Sequence, residues 1–335
     1  MESRIDGHLI TEQIKRNSFT VILSVPYECF LCYNYSKVCM ERKLAMETIK
    51  INYSNEFVLD RECSSHIKRA SICRDVICNN RPFTDEQLKT ISDFFRTPLT
   101  WSSSALEGST YTIGETQTLL EYGTTVHGKS LKETLEICGH ASAFDYMIQL
   151  SRKKGLNCAD ICKLHFLIYD KSESETAGKY KGKQNFITGS NYTTVRPCDV
   201  SDEMRRLEQW IADNYDEMNP VVLAAEVHRK LVYIHPFDDG NGRCARLCMN
   251  VLLLQKGYLP CSISPALRLD YINSLEAGRG GRYNEFIRFV AEVETETQKD
   301  YMRALDIALP KLPAPELNEE DSVPSLARRG IHIGK

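Results

Sequence analysis

The sequence predicts a mostly α-helical bundle with one β-hairpin, preceded by a small N-terminal region in which strand-like runs leave the fold open, α+β included. Three observations carry that reading. From about Phe83 onward, apolar residues recur at three and four positions, the period of amphipathic helices. One stretch, Lys179 to Val195, breaks the period with Gly182, Gly189 and alternating residues, which reads as a hairpin. The 335 residues include 42% hydrophobic and 26% charged side chains, an ordinary balance for a chain that buries a sizeable core.

Taken in order, residues 1–82 form a cysteine-rich region. Six cysteines lie there: Cys29, Cys32, Cys39, Cys63, Cys73 and Cys78. Cys29 and Cys32 have the spacing of half a zinc site, but no second half follows, so free thiols are the alternative. Phe19–Val25 and Glu56–Leu59 are strand-like runs. The bundle proper spans 83–309. Asp85–Phe95 reads as a helix that ends before Pro98. Thr112–Tyr122 starts with Thr112 and Glu115 three positions apart, a capping box. Leu131–Leu150 and Cys158–Tyr169 follow. After the hairpin come Asp202–Asn214, Val221–Ile234 and a helix from Gly242 to about Lys256, where Gly257 suits a C-cap. Leu269–Ala277 and Tyr283–Leu309 complete the set. Residues 310–335, with Pro310, Pro313, Pro315 and Pro324, read as a disordered tail.

Charge and hydropathy exclude some functions. With 45 acidic and 42 basic residues, the net charge of -3 argues against a nucleic-acid binder. No run approaches the ~20 apolar residues of a membrane helix, and the acidic start does not resemble a secretory signal. The sequence therefore predicts a cytoplasmic protein without nucleic-acid or membrane partners, its thiols reduced.

Chemistry concentrates in His235-Pro-Phe-Asp-Asp-Gly-Asn-Gly-Arg243-Cys-Ala-Arg246. An apolar helix delivers His235, and Pro236 stops it. A tight loop follows, with Gly240 and Gly242 flanking Asn241, and a second apolar helix begins. Such glycines let backbone N–H groups approach a ligand, and the next helix aims its positive end at the same place. Arg243 and Arg246, three apart, share one face of the first turn. Together these describe a polyphosphate site. Asp239 supplies the single carboxylate that usually suffices to hold Mg²⁺ beside phosphates. His235 has the pKa range of a general base. A cap, a turn and a solvated face are the plainer readings of each part; all of them within twelve residues, in this order, favour the site.

HPFDDGNGRCAR resembles the signature of the Fic family, H-P-F-x-[DE]-G-N-G-R-x-x-R, at every fixed position. The resemblance implies a helical Fic fold over about 83–300. It also implies an enzyme that transfers AMP from ATP to a hydroxyl of a target protein and releases pyrophosphate. On that resemblance His235 is the base and Asp239 holds Mg²⁺. Gly240, Asn241, Gly242 and Arg243 cradle the α- and β-phosphates, and Arg246 reaches the γ-phosphate. Ser103-Ser-Ala-Leu-Glu107-Gly108, within about 100–109, resembles the family's N-terminal inhibitory motif, which implies that Glu107 pairs with Arg246 and displaces the γ-phosphate. The hairpin at about 183–196 resembles the flap that aligns the target, with Phe186, Ile187, Thr188 and Gly189 as docking positions. Tyr271 and Leu275 fall where relatives line the adenine pocket; core packing is the alternative for Tyr271. His228, two turns before His235, reads as structural. AMP removal by the same site and a non-catalytic ATP sensor are the competing functions. Self-modification, a homodimer and the target's identity stay open.

Overall fold

Most helices begin on a side chain that caps them. Asp60 accepts from the Cys63 N–H at 2.7 Å and starts α1 (Arg61–Asn80). Thr84 does the same for α2 (Asp85–Leu106). Thr112 and Glu115 form the complete capping box of α3 (Ile113–Tyr122). Ser130 and Asn157 cap α4 (Leu131–Leu150) and α5 (Cys158–Tyr169). Prolines at the first helical position open α6 (Pro197–Asn214) and α7 (Pro220–Ile234). α8 (Asn241–Gln255), a 3₁₀ turn (Pro265–Leu267), α9 (Arg268–Arg279) and α10 (Asn284–Ala304) follow.

These elements come from a computed structural model, which describes residues 51–54, 58–81, 84–187 and 192–317. The described residues belong to one unit running from Thr48; the other unit, Met1–Glu47, lies outside them. Phe19–Val25, Cys29, Cys32 and Cys39 fall in that stretch. Among the described residues, no group of three or more His, Cys, Asp or Glu side chains is arranged to hold a metal.

The centre of the fold is the pair α7 and α8, which pack against each other on either side of the signature loop. Every residue of α7 from Val221 to Ile234 is buried, as is almost every residue of α8. That explains why both read as apolar over most of their circumference. α4 and α5 cover one side, α6 another, and α10 packs against α7. α1 lies along α10 and contributes Cys63, Ile67, Ala70, Cys73 and Ile77 to the same core. Burial pushes the Cys63 thiol up to about 12 and that of Cys73 up to about 11, so both remain protonated.

Three expectations change. α2 does not stop before Pro98 but continues to Leu106. An interior proline costs ~3 kcal/mol. Ile91, Phe95, Leu99 and Leu106, all nearly inaccessible, bury a stripe that spans the proline and outweighs this cost. The hairpin is not a ladder: between its described arms the only bridge is Phe186 to Thr193. Lastly, the segment 310–317 is attached to α1. The Arg69 guanidinium donates to the Pro313 carbonyl, Ser65 Oγ accepts from the Glu316 N–H at 3.1 Å, and Leu312 packs on the core.

Candidate active site

Helix α7 ends at His235, whose backbone is left-handed (φ 53°, ψ 59°). An unfavourable conformation for a residue with a Cβ marks a held position. The His235 N–H donates to the Leu231 carbonyl at 2.9 Å, and ring Nδ1 lies 3.2 Å from the Val232 carbonyl oxygen. A nitrogen facing a carbonyl must carry the proton, so in the neutral ring Nε2 holds the lone pair. Burial, reinforced by the positive charges of Lys181 and Arg279, pushes this imidazole down to about 4, against a weaker opposing pull from the Val232 carbonyl.

The loop that follows is held by side chains the motif alone does not reveal. Phe237 is fully buried and stacks on the His165 ring at 3.8 Å. His165 Nδ1 accepts from the Gly178 N–H, so its Nε2–H donates to the Asp239 carbonyl at 3.0 Å. Asn241 spends both halves of its amide on Phe237: Oδ1 accepts from the Phe237 N–H and Nδ2 donates to the Phe237 carbonyl, each at 2.9 Å. Its side chain is thus a staple for the loop.

The two glycines are required for reasons of contact. Gly240 has φ 70°, and a Cβ there would lie 2.3 Å from Cε2 of Tyr169. A Cβ on Gly242 would lie 2.4 Å from Glu107 Oε1. The Glu107 carboxylate occupies the space over Gly242. α8 begins at Gly240 without a capping side chain, so its first-turn N–H groups are available for an anion.

Both arginines are almost fully buried, and each is met by a carboxylate. Arg246 Nη2 donates to Glu107 Oε1 at 2.7 Å and to the Ser103 carbonyl at 2.9 Å; Nε donates to Ser103 Oγ at 3.0 Å. Burial raises the Glu107 pKa, but the charge and hydrogen bond of Arg246 carry it below the usual carboxylate value. Glu107 terminates α2, and Gly108 turns away with φ 97°. Arg243 Nη1 donates to Glu136 Oε2 at 2.6 Å and Nη2 to the Tyr169 hydroxyl. Its Nε is buried without a hydrogen-bond partner. A cleft beside these groups is lined by Ser104, Glu107, Ser109, Lys132, Glu136 and Arg243 among others.

Asp239 points outward, its side chain 63% exposed. Oδ1 accepts from the Gly240 N–H at 2.7 Å, and Oδ2 lies 3.7 Å from Arg243 Nη2. Burial opposes ionisation, but the Gly240 bond and the Arg243 charge prevail and keep it anionic. A single hard carboxylate open to solvent, beside Arg243 and the uncapped start of α8, fits the donor set of Mg²⁺ with a nucleotide.

The remaining expected residues are further out. Tyr271 is buried; its hydroxyl bonds His228 Nε2 at 3.0 Å and accepts from Arg246 Nη1 at 3.3 Å, while its ring packs near Phe286 and Phe289. Leu275 is buried and its carbonyl accepts from Tyr233. Phe186 is 38% exposed and Ile187 packs partly against the core. Thr188 and Gly189 lie outside the described residues. The hairpin base is joined to the loop by Lys181 and Asn185: the Lys181 N–H donates to the Pro236 carbonyl and Asn185 Nδ2 to the Phe237 carbonyl, both at 2.8 Å. Lys181 Nζ donates to Asn185 Oδ1 and Thr194 Oγ1.

The sequence profile of the Fic/DOC family matches residues 155–253. A protein adenylyltransferase Fic from Drosophila persimilis is 33% identical over 236 residues, covering 70% of this chain and 46% of that protein. One from Nematostella vectensis is 34% identical over 210 residues, covering 62% and 49%. The chain thus spans about half the length of these curated relatives. Among solved structures, a fragment of Fic-1 from C. elegans superposes with TM-score 0.66 at 23% identity, covering 84% of this chain and 78% of that one. A Fic domain containing signalling protein from Bacteroides thetaiotaomicron VPI-5482 superposes with TM-score 0.64 at 27% identity, covering 72% and 97%.

Proposed function

This chain belongs to the Fic/DOC family, and from that premise we propose that it is a protein adenylyltransferase, transferring AMP from ATP to a hydroxyl side chain of a target protein. The observation that carries the reading is the His235 geometry: Nδ1 is committed to a carbonyl and Nε2 keeps a free lone pair. It stands at the mouth of a loop and helix end that present N–H groups and two arginines.

In the proposed reaction, His235 Nε2 takes the hydroxyl proton. The oxygen forms a bond to the α-phosphorus, the bond from that phosphorus to the bridging oxygen breaks, and pyrophosphate leaves with the electron pair. The α8 N–H groups and Arg243 face the α- and β-phosphates, and Arg246 the γ-phosphate. Asp239 would hold Mg²⁺, which neutralises phosphate charge when bound. Phe186, Ile187, Thr188 and Gly189 would align the target by backbone pairing. The Tyr271 ring, already packed on Arg246, and Leu275 would border the base.

The same geometry supports self-inhibition. A γ-phosphate and the Glu107 carboxylate compete for one guanidinium, and Glu107 also fills the space over Gly242. The test is incorporation of α-labelled AMP into protein from a cell extract, and into the enzyme itself, by the wild type and by Glu107→Gly. The glycine variant should label strongly and the wild type weakly. Equal labelling removes the inhibitory role; no labelling by either removes the transferase.

A further inference from the structure

Arg243 is 5% exposed, and two of its three nitrogens are engaged by groups outside the signature. Nη1 donates to Glu136 Oε2 at 2.6 Å and Nη2 to the Tyr169 hydroxyl, while Nε is buried with no hydrogen-bond partner. A buried, charged donor left unmatched is rare and destabilising, so it marks a place where an acceptor belongs. Glu136 lies on α4 and Tyr169 on α5. Gly139 shows how the two are brought together. It follows Glu136 by one turn, and a Cβ there would lie 2.2 Å from the Ile168 carbonyl oxygen. The backbones of α4 and α5 therefore touch at this point, and Tyr169 is the next residue after Ile168. Backbone in contact with backbone has no rotamer by which to give way, so the seam fixes the separation of the two helices. Ile137 and Ile168, beside it, are both buried.

We propose that Glu136 is a positioning residue of the phosphate site. From the seam of α4 and α5 it holds Nη1 of Arg243, opposite Tyr169 on Nη2, and so fixes the guanidinium with Nε left as the donor for a phosphate oxygen. The inference rests on the reading of this loop as the site of a nucleotide's phosphates. What it adds is a group 107 positions from Arg243 that sets the direction of the arginine, where the signature supplies only its charge. A planar guanidinium binds a phosphate well in few orientations, so the direction in which it is held affects affinity.

Two conservative replacements separate direction from charge, each made in a Glu107→Gly reference protein titrated calorimetrically with ATP and magnesium. Glu136→Asp keeps the charge but is one methylene too short to hold Nη1. Glu136→Gln loses the charge but keeps an oxygen of the same reach that accepts from Nη1. Both leave a polar neighbour for the buried arginine, so both should fold. If Glu136 acts by position, the aspartate variant should bind ATP about tenfold more weakly than the reference, the loss of one charge-assisted bond. The glutamine variant should bind no more weakly than the reference. A merely electrostatic or structural role gives a different order, with aspartate the milder change or the two alike. Aspartate binding as tightly as the reference, or glutamine losing as much as aspartate, therefore overturns the inference while leaving the nucleotide reading intact. A reference protein that binds no ATP with magnesium overturns both.

Discussion

The imidazole of His235 is set up by its neighbours to be neutral. Its Nδ1 proton is held by Val232, burial disfavours the imidazolium, and Lys181 and Arg279 add repulsion. A free imidazole with pKa ~6.5 would be only about one-tenth unprotonated at a pH one unit lower. With the ring pushed down to about 4, transfer by Glu107→Gly should instead hold nearly its full rate from pH 8 to pH 5.5. Because Glu107 itself favours the charged ring, removing it moves the acid limb lower still. An acid limb centred at 6.5 in kcat/KM would show that this ring is not tuned as described, and an active His235→Ala would show that it is not the base. At this scale the sequence made part of the site legible. Glu107 and Arg246 stand 139 positions apart, yet each sits in a short local pattern, and the two side chains do meet. Tyr169, Glu136 and His165 left no such signal. Their contacts to the loop span 74, 107 and 74 positions, and locally each is only one residue of an ordinary amphipathic helix.

Helix α2 is the lever that carries Glu107. The carboxylate follows directly on 22 residues of helix, and Ser103, one turn earlier, gives Arg246 two more acceptors. The pairing therefore depends on the seat of the whole helix, which Ile91, Phe95, Leu99 and Leu106 provide. Leu99→Ala opens a cavity costing about 2–5 kcal/mol in the packing of this element. Some of that loss should appear as freer motion of the helix end, raising AMP labelling above the wild type but below Glu107→Gly. A Leu99→Ala protein that is less stable to urea yet labels like the wild type would mean that the pair holds without its helix. Legibility at this scale divides by range. The Thr112 and Glu115 box was readable because a cap is made by residues three apart. The run through Pro98 was not, because a local helix breaker was outweighed by burial against distant elements. The hairpin was readable as a departure from helix, but its arms are joined mainly by the side chains of Lys181, Gln184, Asn185 and Thr194, which no alternation of residue types encodes.

Across the molecule, the helical bundle buries imidazoles in their neutral form. Burial is the leading cause at His66, His140, His165, His228 and His235, pushing them down to about 4 at His66, His165 and His235, about 3 at His140 and well below normal at His228. In the unfolded chain each returns to ~6.5. Between that value and about 4 the unfolded state therefore binds protons that the native state refuses, and stability falls as pH falls. Two buried carboxyls oppose this. Glu292 is pushed up to about 7 by burial, and Glu294, with Oε2 unpartnered, is raised well above normal. Both favour the native state most at low pH and lose that contribution as pH rises above the unfolded carboxylate value. Five groups against two leaves a net uptake of up to three protons on unfolding. Urea unfolding should therefore show free energy declining with acidity from pH 6.5 to 5, and changing little between pH 7.5 and 7, where few unfolded imidazoles are charged and Glu292 and Glu294 still hold protons in the native state. The decline starts above the range in which the pairs of Glu107 and Glu226 are titrated, since their pKa values lie below the ordinary carboxylate range. A curve that is flat from pH 7 to 5, or that rises toward acid, would mean that the carboxyls outweigh the imidazoles and that the neutral state assigned to His235 lacks support from its surroundings.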